Sequence, residues 1–290
     1  MRRLIVNADD LGLTRGVNRA ILETIRNGVV TSTTLIANSA AYQDAVDSIG
    51  KLSRSSVGCH VLLVDGQPLS PSAEVPSLLE TRNGNSSFRT NLLPFLSLAA
   101  QGKIDSDEIE KEATAQFKKL QASGIAISHF DTHKHTHIFP AVHQPLMRAA
   151  KACGIKALRN PFAPVKPLAF AHLVRRPKLW KRYSQVRILR RYEEGFRRGV
   201  EDAGMKTPDG SFGIVATGHL DEKLFAAVMG NLPEGTWEFV CHPGYNDGDL
   251  DGVQTRLRAS RETEREILTS PAARKILADQ GVELISYHQL

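Results

Sequence analysis

The chain of 290 residues has little cysteine, and what it has is scattered. Cys59, Cys153 and Cys241 form no CxxC pair and suggest no disulfide framework. Long apolar runs are missing too. Arg2 and Arg3 are followed only by Leu4-Ile5-Val6 before polar Asn7, which is no secretory signal. No stretch approaches the length of a transmembrane helix. There is no P-loop, no dinucleotide fingerprint, no GxSxG elbow and no H-E-x-x-H. Redox cofactor chemistry and serine-nucleophile hydrolysis are thereby disfavoured. A cytoplasmic soluble protein is the expectation.

What is present suits a globular fold. Hydrophobic residues make up 41% and charged residues 23%, enough for a sizeable core. The net charge of +6 is unevenly spread. Residues 164–206 hold twelve Lys/Arg against Glu193, Glu194, Glu201 and Asp202, so this segment is +8 and the remainder −2. Leu179, Tyr183, Val186, Leu189, Phe196 and Val200 recur through it at helical intervals. It reads as a basic helical insertion in a single domain spanning 1–290. A solvated helical face is one reading. Contact with anionic lipid headgroups is another, with Trp180, Phe170 and Leu173 at the interface. No nucleic-acid motif occurs in it.

The apolar run Arg3–Ala8 predicts a first strand, with Asp9-Asp10-Leu11-Gly12 as the loop after it. Helices are expected over 17–27, 42–52, 106–123 (capped by Ser106), 142–153, 222–229, 255–268 and 272–280. Strands are expected over 33–37, 57–64, 125–132, 155–159, 212–217, 237–241 and 282–286. Residues 65–91, rich in Pro, Ser, Gly and Asn, read as one long loop, of a kind that is usually functional or mobile. Strand–helix alternation with about eight strands predicts an α/β fold, a regular or distorted (β/α) TIM-like barrel. In such a barrel, strand C-termini meet at one mouth. Asp9-Asp10, His60, His133, Arg159 and His242 all fall at or near predicted strand ends.

The densest feature is His129-Phe130-Asp131-Thr132-His133-Lys134-His135-Thr136-His137. If extended, alternate residues share a face, and a row of His129, Asp131, His133, His135 and His137 invites a divalent metal. An extended row of nine residues spans about 26 Å, so one ion can take one or two of them. The others are left as substrate contacts, supports of the ligands or bystanders. Asp9 and Asp10 are adjacent like charges that need a cation or a proton to coexist. One can hold a metal while the other serves as a base; a solvated turn is the bland alternative. His60, flanked by apolar positions, reads either as a hydrogen-bonded core residue or as a ligand. His242, before Pro243, suits a general acid. Arg159 suits orienting a carboxylate or binding a sugar oxygen.

Ile5–Leu13, Gly58-Cys59-His60-Val61, the histidine stretch and Cys241-His242-Pro243-Gly244 together resemble the YdjC-like carbohydrate deacetylases. Asn27–Thr34 is similar as well. The resemblance runs from the first strand to the C-terminus. It implies a distorted (β/α) barrel and one divalent metal ion, zinc or magnesium, held by Asp10, His60 and His133. It also implies Asp9 as general base and His242 as candidate acid. Asp131, His135, His137 and Arg159 are then substrate-facing or support the ligands. The basic segment and Thr207–Gly213 look more like the hopanoid-biosynthesis branch, HpnK. That branch implies an N-acetylated amino sugar on a triterpenoid lipid and peripheral contact with the inner membrane. A chitooligosaccharide deacetylase and a metal-dependent phosphoesterase on the same residues are the alternatives. A homodimer is compatible with these features, and nucleic acid is not expected as a partner.

Overall fold

The computed structural model describes residues 1–50, 55–164 and 176–290. Lys166, Phe170, Leu173 and Arg175 of the basic segment, and Lys51 and Leu52 at the end of an expected helix, lie outside the described residues.

Seven parallel strands form one sheet: β1 (Arg2–Leu11), β2 (Ser32–Leu35), β3 (Ser56–Val61), β6 (Phe130–Thr132), β7 (Gly210–Phe212), β8 (Gly235–Cys241) and β9 (Val282–Leu284). Their order is β6-β3-β2-β1-β8-β7, with β9 on β1. Helices cover the sheet, so β1 is buried on both faces and carries the apolar run Leu4-Ile5-Val6 without alternation. One edge of β1 serves two partners in turn. Arg2–Leu4 pair with β9, and Asn7 onward pairs with β2. The curled sheet is a distorted TIM-like half-barrel, as expected from the strand–helix alternation. Between β6 and β7 the irregular stretch 157–162 supplies only local pairings: Phe130 with Leu158, Ala157 with Lys206, and Ser211 N–H on the Phe162 carbonyl.

Several expectations need correction. Asp9 and Asp10 belong to β1, which runs on to Leu11. The predicted strand 155–159 forms isolated bridges only. The strand predicted over 212–217 ends at Phe212, because Gly213 takes a φ of 93° and a turn follows. The helix over 106–122 is capped by Asp105, whose side chain accepts from Asp107 N–H, and not by Ser106. The long loop contains a hairpin of β4 (Leu79–Arg82) and β5 (Asn85–Phe88). Its Asn83-Gly84 turn has φ of 51° and 79°, the left-handed pair that Asn-Gly favours. A helix, Leu92–Ala100, follows.

The largest correction concerns the histidine stretch. Only Phe130–Thr132 is strand; His133–Ile138 coils into a 3₁₀ turn with Lys134 and His135 at φ of 54° and 53°. The row is therefore not extended, and its side chains do not share one face. In the basic segment, helices Trp180–Leu189 and Glu193–Asp202 form. The first buries none of its described side chains; the second buries Phe196 and Val200.

Candidate metal centre

The site begins with an irregularity in β1. Ala8 pairs with Thr33 and Leu11 with Leu35, so three steps on β1 answer two on β2. This is a β-bulge, and Asp10 takes it up with a φ of 71°. Neighbouring residues of a regular strand point to opposite faces. Here both carboxylates reach the same buried cluster.

Asp10 Oδ1 lies 3.6 Å from His60 Nε2 and 3.9 Å from His133 Nδ1, and those two nitrogens are 3.3 Å apart. A point equidistant from the three atoms lies about 2.1 Å from each, the distance zinc keeps to imidazole nitrogen and carboxylate oxygen. Asp10, His60 and His133 thus form a ligand-sized triangle. His60 turns its other nitrogen to Asp131, with Nδ1 to Oδ1 at 2.7 Å. A carboxylate behind a ligating histidine fixes its orientation and tautomer.

Beneath the triangle, Arg159 is fully buried among three carboxylates. It grips Asp9 with two hydrogen bonds, at 2.6 Å and 2.9 Å. Its Nε donates to Glu238 at 3.0 Å, and it also meets Asp131 Oδ2. Arg159 thus orients carboxylates, and its donors are turned into this array. Glu238 is completed by Tyr287 O–H at 2.8 Å and by Ser211. Arg261, buried on the helix Ala259–Thr269, donates to Asp10 Oδ2 at 2.6 Å. Three helix residues further on, Glu264 accepts from His242 N–H at 2.6 Å. Four acids (Asp9, Asp10, Asp131 and Glu238) therefore face two guanidinium groups. Acids thus outnumber guanidinium groups in a buried space, an excess that a bound cation would offset.

The electrostatics follow from these contacts. Burial opposes ionisation of Asp9, but Arg159, helped by His60 and His242, outweighs it and holds the carboxyl far below its usual range. Burial also opposes Asp10, and Arg261 overrides it in the same direction. For His60, burial favours the neutral ring, yet Asp131, Asp9 and Asp10 raise its pKa to about 9. Without a cation, His60 therefore carries a proton to offset the surplus acid.

His242 approaches from the end of β8, its Nε2 3.8 Å from Asp9 Oδ2 and its side chain 15% exposed. His135 is pushed down to about 3 by burial and then by Arg159, and is neutral. His137 lies outside the triangle, with Nδ1 bonded to the Thr132 hydroxyl at 2.7 Å. His129 stacks on Tyr287 at 3.5 Å between centroids, deeper in the barrel. Gly58 makes room for that ring, because a Cβ there would sit 2.5 Å from it. Of the sequence candidates, then, Asp9, Asp10, His60, Asp131, His133, Arg159 and His242 converge. His137 is set apart.

Sequence reasoning missed Glu238, Arg261 and Glu264. Glu238 carried a signal, since an acid between Trp237 and Phe239 in a buried strand needs a partner. Arg261 and Glu264 sit in an otherwise charged helix and carried none.

The acid–histidine cluster at the strand ends of this parallel α/β half-barrel fits a single divalent ion and suits hydrolysis. The chain belongs to the YdjC-like protein family, whose model matches residues 3–279. It is 32% identical over 291 residues to carbohydrate deacetylase 1 of Listeria innocua, covering 99% of this chain and 100% of that one. It is 31% identical over 289 residues to a carbohydrate deacetylase of Geobacillus stearothermophilus, covering 99% and 98%. A solved structure from Enterococcus faecalis, named for cellobiose-phosphate cleavage, shares the fold with a TM-score of 0.76 at 24% identity, covering 99% and 98%. No helix among the described residues is long and apolar enough to cross a membrane.

Proposed function

We propose that this protein hydrolyses the acetamide of an N-acetylglucosamine-type sugar, with Asp10, His60 and His133 holding one zinc ion. The triangle formed by their three donor atoms carries the reading. Two imidazoles and one carboxylate are a zinc-like donor set, and magnesium is better served by all-oxygen shells. When bound, such an ion supplies Lewis acidity toward an acyl oxygen and toward water.

The chain's own residues do the rest. Asp9, gripped from both sides by Arg159, is ionised throughout the working pH range and takes the proton of the attacking water. Its low basicity means that it hands that proton on to His242, whose Nε2 is 3.8 Å away, for delivery to the amine. His242 lies beyond Asp9 at the more open side of the cluster and protonates the departing amine, so that the acetyl carbon leaves as acetate. Asp131 keeps His60 in the tautomer that presents Nε2.

The carbohydrate deacetylases among the relatives support a saccharide substrate of the chitooligosaccharide kind ahead of a hopanoid glycoside. A lipid-linked amino sugar is a second reading. It is favoured by the basic helices that present Trp180 and Ile188 at 53% and 59% exposure, which suits peripheral contact with a membrane. Mass spectrometry of the zinc-loaded protein with chitobiose and with an N-acetylglucosaminyl hopanoid separates the two readings. The expected result is loss of one acetyl group from chitobiose. Release of phosphate from a generic phosphate ester, with no acetate from either sugar, overturns the deacetylase reading. Asp9→Asn is expected to lower turnover about 10²–10⁴-fold while zinc content stays the same. Undiminished turnover in that variant removes Asp9 from the base role.

A further inference from the structure

His133 presents Nδ1 to the triangle, which leaves Nε2 with the ring proton to place. That nitrogen lies 3.2 Å from Oδ2 of Asp65, a residue the sequence reading passed over. Asp65 follows β3 on the rim of the site, one-third exposed and in the left-handed region at φ 60°. Lys134 Nζ reaches the same carboxylate oxygen at 2.6 Å and also donates to the Thr90 carbonyl at 3.2 Å. Two backbone hydrogen bonds tie this corner to the hairpin: Asp65 N–H to the Arg89 carbonyl at 3.1 Å, and Phe88 N–H to the Gly66 carbonyl at 3.0 Å.

We propose that Asp65 is the positioning residue of His133. Its carboxylate accepts the Nε2 proton, so the Nδ1 lone pair is left for the ion, and through it the hairpin Leu79–Phe88 is tied to a metal ligand. A neutral imidazole carries one N–H, and the hydrogen bond made by one nitrogen decides what the other can do. His60 has the mirror arrangement, with Nδ1 on Asp131 and Nε2 toward the triangle. Each histidine thus uses the opposite nitrogen and has its own carboxylate behind it. Because Asp65 is bonded at once to the ligand and to the hairpin, order in one favours order in the other, in both directions. The proposal rests on the metal reading of the triangle.

The test measures zinc affinity of the full chain by competition with a chelating dye, for the wild type, Asp65→Ala, Asp65→Asn and His60→Ala. Asp65→Ala is expected to weaken zinc binding about 10–100-fold. Zinc is also expected to slow amide exchange over residues 79–90 in the wild type and to do so less in Asp65→Ala. Wild-type affinity in Asp65→Ala, with zinc lost from His60→Ala, overturns the role of Asp65 and leaves the metal reading standing. Unchanged zinc affinity in both variants overturns the metal reading and this proposal with it. Nitrogen-15 shifts of the His133 ring in the metal-free chain supply a readout that a merely structural role does not move. The Nε2-protonated form is expected in the wild type and a mixture of tautomers in Asp65→Asn. A ring protonated on Nδ1 in the wild type also overturns the proposal.

Discussion

The two histidines of the triangle are held in opposite ways. His60 is held from the floor: Asp131 behind it is fully buried, and Arg159 behind Asp131 is buried with it. His133 is held from the rim: Asp65 is one-third exposed and Lys134 beside it similarly so. On the floor, each charge is out of water and depends on its neighbours. At the rim, water can replace any partner. One ligand is thus built into the core, and the other is held by a partly exposed carboxylate at the rim.

The largest expected effect tests the floor. Arg159→Met leaves Asp9, Asp131 and Glu238 buried without their common cation, and should cost about 3–5 kcal/mol in urea unfolding. A loss under 1 kcal/mol would mean that the floor is as well hydrated as the rim, and the contrast would fail. An intermediate effect concerns pH in the metal-free chain. His60 has a folded pKa of about 9 against an ordinary 6.5, so its contribution is complete below pH 6.5 and is lost as pH rises through 9. That contribution is about 3 kcal/mol. The neutral buried rings act oppositely. His129, His135, His137 and His143 are all held below 6.5 by burial, so their contribution fades as pH falls below that value. The urea midpoint of chelated protein should therefore peak near pH 6.5 and decline on both sides. Zinc should flatten the alkaline side, because it takes the neutral ring. A midpoint still rising at pH 9 would refute the protonated His60. The smallest effect is at the rim. Lys134→Met removes a partly exposed ion pair and should change unfolding free energy by no more than about 1 kcal/mol. A larger change would show that the rim is as tightly coupled as the floor.

Much of this was legible from residue order, and the reasons for success and failure are physical. Apolar runs such as Leu4–Val6 announced strands because both faces of the sheet are covered, and chemistry-bearing residues at their ends marked the mouth. The strand end at Thr132 was legible, but the alternation beyond it suggested a shared face, whereas Lys134 and His135 turn the chain there by left-handed backbone. The hairpin was missed although Asn83-Gly84 signals it. Arg261 and Asp65 were missed for a different reason. Their partners, Asp10 and His133, are distant in sequence, and an arginine in a charged helix or an aspartate in a polar loop looks like ordinary surface until the fold brings it inward.

The bulge in β1 makes residue count, as much as residue type, a determinant of chemistry. Deleting Asp9 or Asp10, the two residues between Ala8 and Leu11, would restore even pairing with β2 and remove the need for left-handed backbone there. The regular strand would then keep one carboxylate where the site uses two. A designer who regularised this strand would gain a better backbone and lose the site. Scans confined to substitutions would never sample that change, since the relevant variable there is the number of residues between Ala8 and Leu11.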